Sequence, residues 1–477
     1  MLTDRGLGRR IRLDEIGALV AEHLDRPQTL DELAERLKTK PSNLERAVAF
    51  FEGYHLLDTE QTRTMVSEAS AATKMQAMDA QTVPLIIRDD ARFSCTMCGS
   101  CCGGTNIGPV SDSVMEGLKP HLGTLEKKMK ATSGLFFTVP GGSGDKSYTL
   151  CRQKGGSCVF LEANNRCAIH SDHGAEAKPD DCRLFPWMFT ATPKGVAVSI
   201  QMECRGFTEA RSGKLLSEQE DEIRKMLALA QDRSQLPPIL TVTGHLSMTY
   251  DAYDSMETLL HETVDRLATD PLAALIAMRD IIFKATDLES DTSVSRKESL
   301  KTLLHRVMGK LCGKVQDIRD NLVSSDPNLE LHTETLDLVA QALQAVLSDL
   351  ERVFAPPDRR AKRELFAEKV HHYLMQKELI TFGSVINGYV YLVFQWVLSQ
   401  ALSIHRAREV KRRHVTEQDL MDAMSVMSLV WRTPEWQALL EEMEDELTMI
   451  FMDQLHQFSE DLPFFVEEDL KGHIYKF

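Results

Sequence analysis

The stretch F-S-C-T-M-C-G-S-C-C-G-G, residues 93–104, decides the fold of the region around it. It places four cysteines within eight residues, at Cys95, Cys98, Cys101 and Cys102. Five more follow, at Cys151, Cys158, Cys167, Cys182 and Cys204. Nine of the ten cysteines therefore lie between positions 95 and 204. Disulfides, a redox pair and a metal centre are the three chemical explanations for such a group of thiols.

A metal centre explains these thiols best. Disulfide frameworks belong mainly to short secreted chains, whereas this chain has 477 residues and no apolar signal-peptide segment between Met1 and Val20. A redox C-x-x-C accompanies a βαβ pattern, which this sequence lacks. Four thiolates satisfy a tetrahedral zinc ion or a cubane iron–sulfur cluster. We therefore expect a cytoplasmic protein whose reduced thiols bind metal.

The spacing of the first cysteines predicts part of their arrangement. Cys95, Cys98 and Cys101 recur every three residues, so one turn can wrap their sulfur atoms around a single centre. If the chain is extended at Cys101 and Cys102, their side chains point to opposite sides, and only one of them serves that centre. The cations expected to offset the thiolate charge are Arg92, Arg166, Arg183 and Arg205.

Five blocks of residues 91–208 resemble the CxxCxxCC (YkgJ-like) cysteine-cluster family, which is described as chelating zinc or iron. In the family's order they are F-x-C-x-x-C-G-x-C-C from Phe93, C-V-F-L from Cys158, C-A-I-H from Cys167, K-P-D-D-C-R-L-F-P from Lys178 and C-R-G from Cys204. The resemblance implies that the metal ligands are Cys95, Cys98, Cys101, Cys102, Cys158, Cys167, Cys182 and Cys204. Cys151 is additional to the family pattern. Zinc and iron remain alternatives, and we expect an iron–sulfur cluster of the 4Fe-4S type ahead of zinc.

The chain as a whole is expected to be mainly α. Its predicted parts are a winged-helix-like domain (1–65), a connector (66–90), a small irregular α+β cysteine-cluster metal domain (91–208), a helical region (209–354) and a C-terminal helical region (355–477). The last two form one large helical domain. Within the metal domain, apolar spacing predicts a helix over residues 112–129, and two β-type runs predict a hairpin between Phe136 and Leu150.

The N-terminal domain has the sequence features of a helix-turn-helix. Thr29 and Glu32 form a capping box, and Pro41 suits the start of a third helix. That third helix offers Arg46 against Glu45, and the whole chain carries a formal charge of −16. Both features disfavour nucleic acid as a partner. We expect a docking or homodimerisation module that contacts another protein, with a metal-responsive DNA-binding regulator as the alternative.

An apolar run from Leu379 to Ile404 is long enough to span a bilayer. It contains no charged residue, but it includes Ser384, Asn387 and Gln395. A helix buried on all sides in a large helical domain fits this composition better than a membrane span. We therefore expect no membrane insertion.

The C-terminal half resembles the flagellin lysine N-methylases in the order of its elements. An apolar helix at Val390–Leu402 precedes the motif T-E-Q-D-L at Thr416–Leu420. The resemblance implies methyl transfer from S-adenosylmethionine to a protein lysine. The sequence has no G-x-G-x-x-G motif for a nucleotide-like cofactor, and it identifies no catalytic residues. Methylation is therefore the alternative to a metal centre that organises a catalytic or docking module.

Overall fold

The protein is mainly α, as its sequence predicts, and its strands are short. The computed structural model describes residues 2–4, 9–103, 107–140, 147–154, 157–204, 206–207, 213–230, 234–244, 246–268, 270–286, 300–325, 330–348, 360–412, 415–431, 434–453 and 455. Within these ranges, hydrophobic cores form among residues 20–51, among residues 110–169 and in a large cluster that runs from Ala80 to Leu455. The large cluster is the core of the helical body.

The N-terminal module is a group of three helices preceded by a short hairpin. Val20, Leu33 and Phe51 lie in its core. Thr29 and Glu32 make the predicted capping box, in which each side chain accepts a hydrogen bond from the other residue's backbone N–H. The elements are β1 (Leu2–Asp4), β2 (Arg9–Ile11), α1 (Glu15–Ala21), α2 (Leu30–Arg36) and α3 (Glu45–Gly53).

The structure does not confirm the predicted winged helix, because no wing follows α3. Residues 54–59 form turns rather than a strand, and they lead directly into α4 (Glu60–Ala77). The Thr59 hydroxyl accepts a hydrogen bond from the Thr62 N–H at 3.1 Å and so caps this helix. The chain is therefore helical where the hairpin of a wing would have to begin.

Short elements make up the cysteine segment, residues 91–208. The predicted hairpin forms as β5 and β6, and its tip at residues 141–146 lies outside the described ranges. The predicted helix over residues 112–129 is instead two helices, because Pro120 lies in a 3₁₀ turn between them and has no N–H to donate. The elements of this part of the chain are β3 (Leu85–Ile86), β4 (Arg92–Phe93), α5 (Asp112–Leu118), α6 (Leu122–Met129), β5 (Phe136–Pro140), β6 (Ser147–Cys151), β7 (Gln153–Lys154), β8 (Ser157–Cys158), α7 (Ala168–His173), α8 (Asp180–Leu184), β9 (Trp187–Thr192) and β10 (Gly195–Ile200).

One four-stranded sheet joins the cysteine segment to the helical body. Its strand order is β12-β9-β10-β3, where β12 is Ser234–Gln235. β9 and β10 pair antiparallel, whereas β3 runs parallel to β10. Every residue of β10 is buried, and Val196, Val198 and Ile200 pack in the large core. The sheet therefore fixes the segment between Cys182 and Cys204 to the rest of the protein.

The helical body is built around the apolar run. Of the described residues, Val385–Glu409 is the one helix long and apolar enough to cross a membrane, and 94% of its most apolar window is buried inside the protein. It is a core helix, as predicted. The remaining elements are β11 (Lys214–Leu215), α9 (Glu220–Leu229), β13 (Leu240–Thr243), β14 (Leu246–Met248), α10 (Tyr250–Leu267), α11 (Pro271–Ala285), α12 (Leu300–Ser325), α13 (Glu330–Ser348), α14 (Arg360–Met375), α15 (Glu378–Thr381), α16 (Val385–Glu409), α17 (Glu417–Trp431), α18 (Pro434–Glu442) and α19 (Glu444–Thr448), followed by a π-helical turn at Met449–Asp453.

Helix α14 clamps the end of β10, four residues before Cys204. The ring of His372 accepts a hydrogen bond at Nδ1 from the Ile200 N–H at 3.1 Å, and Gln376 Nε2 donates to the Ile200 carbonyl at 2.6 Å. The same imidazole meets the ring of Phe207 edge-on, with centroids 4.8 Å apart. The strand end that leads to Cys204 is therefore held by a neutral imidazole in the core.

Replacing Gly388 is expected to destabilise the body. A Cβ there would overlap the backbone of Leu379, which cannot move aside as a side chain can. Gly388→Ala should therefore lower the free energy of unfolding by about 3 kcal/mol, measured by urea denaturation. Gly309→Ala is the matched control, because the position is helical and a Cβ there would meet no atom within 4 Å. This variant should have a free energy of unfolding that is higher by roughly 0.5–1 kcal/mol. Equal stability of the two variants would contradict the packing.

Acid is expected to destabilise the body through two buried histidines, His371 and His372, and the half-buried His261. Burial lowers the pKa of His261 to about 3, that of His371 to about 2 and that of His372 to about 3, from 6.5. The unfolded chain therefore binds more protons, so stability is complete above about pH 6.5 and falls as the pH drops towards 3. By pH 5 each histidine should lower the free energy of unfolding by on the order of 2 kcal/mol. Urea denaturation at pH 7 and pH 5 measures the loss, which His372→Asn should reduce; an unchanged pH dependence in that variant would contradict a neutral buried imidazole.

Candidate metal centre

A glycine-dependent turn presents the first cysteines. Gly99 has a φ of +75°, a conformation that glycine adopts without steric cost. A 3₁₀ turn at Ser100–Cys102 follows, in which the Cys102 N–H donates to the Gly99 carbonyl at 2.9 Å. Cys95 and Cys101 are exposed, whereas Cys98 and Cys102 are half-buried.

Cys101 and Cys102 do not point to opposite sides, so the expectation from an extended chain is wrong. The chain forms the 3₁₀ turn there, and the two thiols hydrogen-bond to each other. This bond, together with the charge of Lys178, lowers the pKa of Cys101 to about 6. The same bond raises the pKa of Cys102 far above its usual range. Cys101 is therefore the thiol of this pair that is poised to become a thiolate.

Backbone bridges bring distant cysteines to this turn. Gly103 bridges to Ser157, which places Cys158 beside Cys101 and Cys102. Ile107 bridges to Cys151, whose N–H donates to the Ile107 carbonyl at 2.9 Å. A third bridge pairs Leu161 with Cys167. Isolated bridges thus connect the cysteine turn to two separate two-stranded sheets, β5-β6 and β7-β8.

Cys182 and Cys204 lie at the same end of the β9–β10 pair, because Trp187 at the start of β9 pairs with Ile200 at the end of β10. Cys182 lies on α8, and burial raises its pKa to about 12. Burial likewise raises the pKa of Cys204 to about 12, although the N–H groups of Gly206 and Phe207 donate to its sulfur and oppose the increase. Gly206 lies against the Ser94 carbonyl and Cys204 Sγ, so the Cys204 loop adjoins the start of the cysteine turn.

Seven of the nine thiols divide into two groups, whereas Cys102 lies within electrostatic range of Cys101, Cys158 and Cys167, which belong to both. Cys95, Cys101 and Cys204 form the outer thiol group, since Cys204 lies within electrostatic range of the other two. Cys151, Cys158, Cys167 and Cys182 form the inner thiol group, and each of them lies within electrostatic range of the other three. Cys101 also lies within range of Cys158 and Cys182, so the groups adjoin each other.

The chemistry of this donor set fits a thiolate-bound metal. All of these cysteines are free thiols, with no disulfide among them. In the ranges the structure describes, no three or more His, Cys, Asp and Glu side chains stand in coordination geometry for one ion. Thiolate ligands select zinc, copper(I) or iron–sulfur centres.

Lys178 is the cation at the site, and the arginines proposed from the sequence are placed differently. The positive charge of Lys178 acts on Cys101, Cys167 and Cys182. Arg92 donates to the Gly213 carbonyl and Arg183 pairs with Glu176, whereas Arg205 lies outside the described residues. Lys178 stands four residues before Cys182, and its side chain donates to the Cys182 carbonyl at 2.9 Å. This short separation in the sequence was the signal that could have identified Lys178.

The T-E-Q-D-L motif is a helix start. The Thr416 N–H donates to Asp419 Oδ2 at 2.7 Å, and the Asp419 N–H donates to Thr416 Oγ1 at 3.2 Å. These reciprocal bonds cap α17 in the manner of a capping box, and Arg412 pairs with the same carboxylate. Helix capping accounts for the motif without reference to a methylase.

Thiol counting tests the absence of disulfides. Protein purified anaerobically and denatured with a chelator present should react with a thiol reagent at ten cysteines per chain. In the native protein Cys312 should react slowly, since it is buried on α12. A denatured count that falls short by two or more, and that a reductant restores, would contradict the reduced thiols.

Comparison with known proteins agrees with this chemistry. Residues 94–209, about a quarter of the chain, match the family model CxxCxxCC, described as "Putative zinc- or iron-chelating domain". No curated protein and no solved structure matches the chain. The match includes all nine clustered cysteines and ends before the C-terminal half, so the flagellin methylase resemblance gains no support. Residues 94–209 are thus similar to the CxxCxxCC domain family.

Proposed function

We propose that the chain binds a 4Fe-4S cluster through the outer thiol group together with Cys98. Cys95, Cys98 and Cys101 have the C-x-x-C-x-x-C spacing of the first three cysteines in the bacterial ferredoxin run. The single observation that carries the proposal is the position of Cys204, which comes from about a hundred residues further on and yet lies within electrostatic range of Cys95 and Cys101, in a loop that contacts the Ser94 carbonyl. It supplies the fourth sulfur that a cubane cluster needs.

The surroundings of Cys204 support this assignment. Backbone N–H groups of Gly206 and Phe207 already donate to its sulfur, and such bonds stabilise and tune a metal-bound thiolate. Cys95 and Cys101 are exposed, so the cluster would lie at the surface, where electrons can reach it. When bound, the cluster supplies one-electron chemistry; the chain's own residues hold it and fix it to the sheet.

We also propose that the centre organises a docking module that contacts another protein in the cytoplasm, where thiols stay reduced. The cysteine segment is fixed to the helical body through β9, β10 and the clamp by α14 on Ile200. Metal binding is coupled to folding in such sites, so loading would order the surface around the turn. The charge of −16 disfavours nucleic acid as the partner, and the N-terminal module is the candidate homodimer contact.

Anaerobic purification tests the iron–sulfur proposal. The wild-type protein should be brown, absorb near roughly 400 nm and contain about four iron and four sulfide per chain. Cys98→Ser and Cys204→Ser should each lose most of this absorbance. Cys312→Ser removes a buried thiol on α12 whose sulfur lies 3.9 Å from Gln344 Oε1, and it should keep the colour. A colourless wild-type protein without iron would refute the cluster.

A further inference from the structure

We propose that His371 and His372 are positioning residues for the outer thiol group. From consecutive positions on α14 they hold two separate chain segments, the turn that precedes Cys95 and the turn that carries Cys204. Successive residues of a helix point about 100° apart, so the two rings contact different neighbours. Both residues are 3% exposed. The inference rests on the proposed function, because it takes these two cysteines to act together, but hydrogen bonds outside the thiols carry it.

The ring of His371 joins two side chains of α10. Its Nε2 donates to Asp265 Oδ1 at 2.9 Å, because a carboxylate oxygen can only accept. Its Nδ1 lies 2.8 Å from Nδ1 of His261, so a single proton lies between the two rings. Burial lowers the pKa of both imidazoles, to about 2 for His371 and about 3 for His261. His371 is therefore neutral, donates to Asp265 and accepts from His261.

The same carboxylate reaches the turn before Cys95. Asp265 Oδ1 also accepts a hydrogen bond from Arg88 Nη2 at 3.0 Å. The Ala91 N–H donates to the Arg88 carbonyl at 3.1 Å and closes the turn, and strand β4 and Cys95 follow directly. The path from His371 through Asp265 to Arg88 is the first arm. It fixes the place where the chain enters the cysteine turn.

His372 holds the turn that carries Cys204 at both of its ends. The Ile200 N–H donates to His372 Nδ1 ahead of the turn, and the His372 ring meets the Phe207 ring after it. Within the turn, the Cys204 N–H donates to the Gln201 carbonyl at 3.1 Å, and the Phe207 N–H donates to the Cys204 carbonyl at 3.0 Å. The contacts of His372 with the two ends of this turn are the second arm.

The two segments that the arms hold lie against each other. A Cβ on Gly206 would lie 3.2 Å from the Phe93 ring and 3.3 Å from the Ser94 carbonyl oxygen. Phe93 and Ser94 directly precede Cys95, and Gly206 follows Cys204 by two residues. A shift of either segment therefore changes the separation of the two cysteines.

Amide substitutions at the two histidines test the arms separately. Glutamine places its amide near the Nε2 position of histidine, and asparagine places its amide near the Nδ1 position. His371→Gln should keep the donor to Asp265, which His371→Asn should lose. His372→Asn should keep the acceptor for the Ile200 N–H, which His372→Gln should lose. A role that depended only on side-chain size would favour glutamine at both positions.

Backbone hydrogen exchange, followed by mass spectrometry, measures the effect on each turn. Ala91 reports on the first turn and Cys204 on the second, since each N–H donates within its own turn. A variant that loses its arm should exchange about fivefold faster in that turn alone. The amides of α12 around Cys312 are the reference for global unfolding, and their exchange should not change.

Asp265→Ala tests the first arm without a substitution in the core, because this side chain is 56% exposed. It should speed exchange at Ala91 about fivefold and leave Cys204 unchanged. Asp251→Ala removes another exposed carboxylate from the same helix. It is the matched control and should change neither turn.

Equal exchange in the two amide variants at each histidine, or in Asp265→Ala and the wild type, would overturn the positioning role. Colourless protein whose exchange follows the predicted pattern would refute the iron–sulfur cluster alone. Brown protein whose exchange depends on neither arm would refute the positioning role alone.

Discussion

The position of the thiols depends on a few backbone hydrogen bonds between segments that are far apart in the sequence. The bridges from Gly103 to Ser157 and from Ile107 to Cys151 are the central ones, because they hold the first cysteine turn against the β7–β8 hairpin. The core of this region is small, and two of its buried members are themselves cysteines, Cys151 and Cys158. Sulfur–metal bonds would thus add cross-links where hydrophobic packing contributes least.

The helical body, in contrast to the cysteine segment, has a large hydrophobic core of its own. β9 and β10 belong to that core although they lie between Cys182 and Cys204. The end of the cysteine segment that contains β9 and β10 is therefore set by packing that needs no metal.

Local features were predictable from the sequence, whereas the spatial arrangement of the thiols was less so. The Thr29 capping box and the buried character of the run from Leu379 to Ile404 follow from short-range spacing, and the structure confirms both. The wing is not confirmed, because a cap at Thr59 opens a helix there, and the helix predicted over residues 112–129 is divided at Pro120. The contact of Cys151 with Ile107 could not be inferred, because strand register sets it.

X-ray absorption at the metal edge tests the central claim most directly, whichever metal is bound. Wild-type protein purified without oxygen should show a first shell made of sulfur, at about 2.3 Å from the metal. The shell should contain about four sulfur atoms, consistent with thiolate ligands drawn from both thiol groups. A first shell of nitrogen and oxygen at about 2.0–2.2 Å, without sulfur, would contradict the claim that these cysteines converge on a metal.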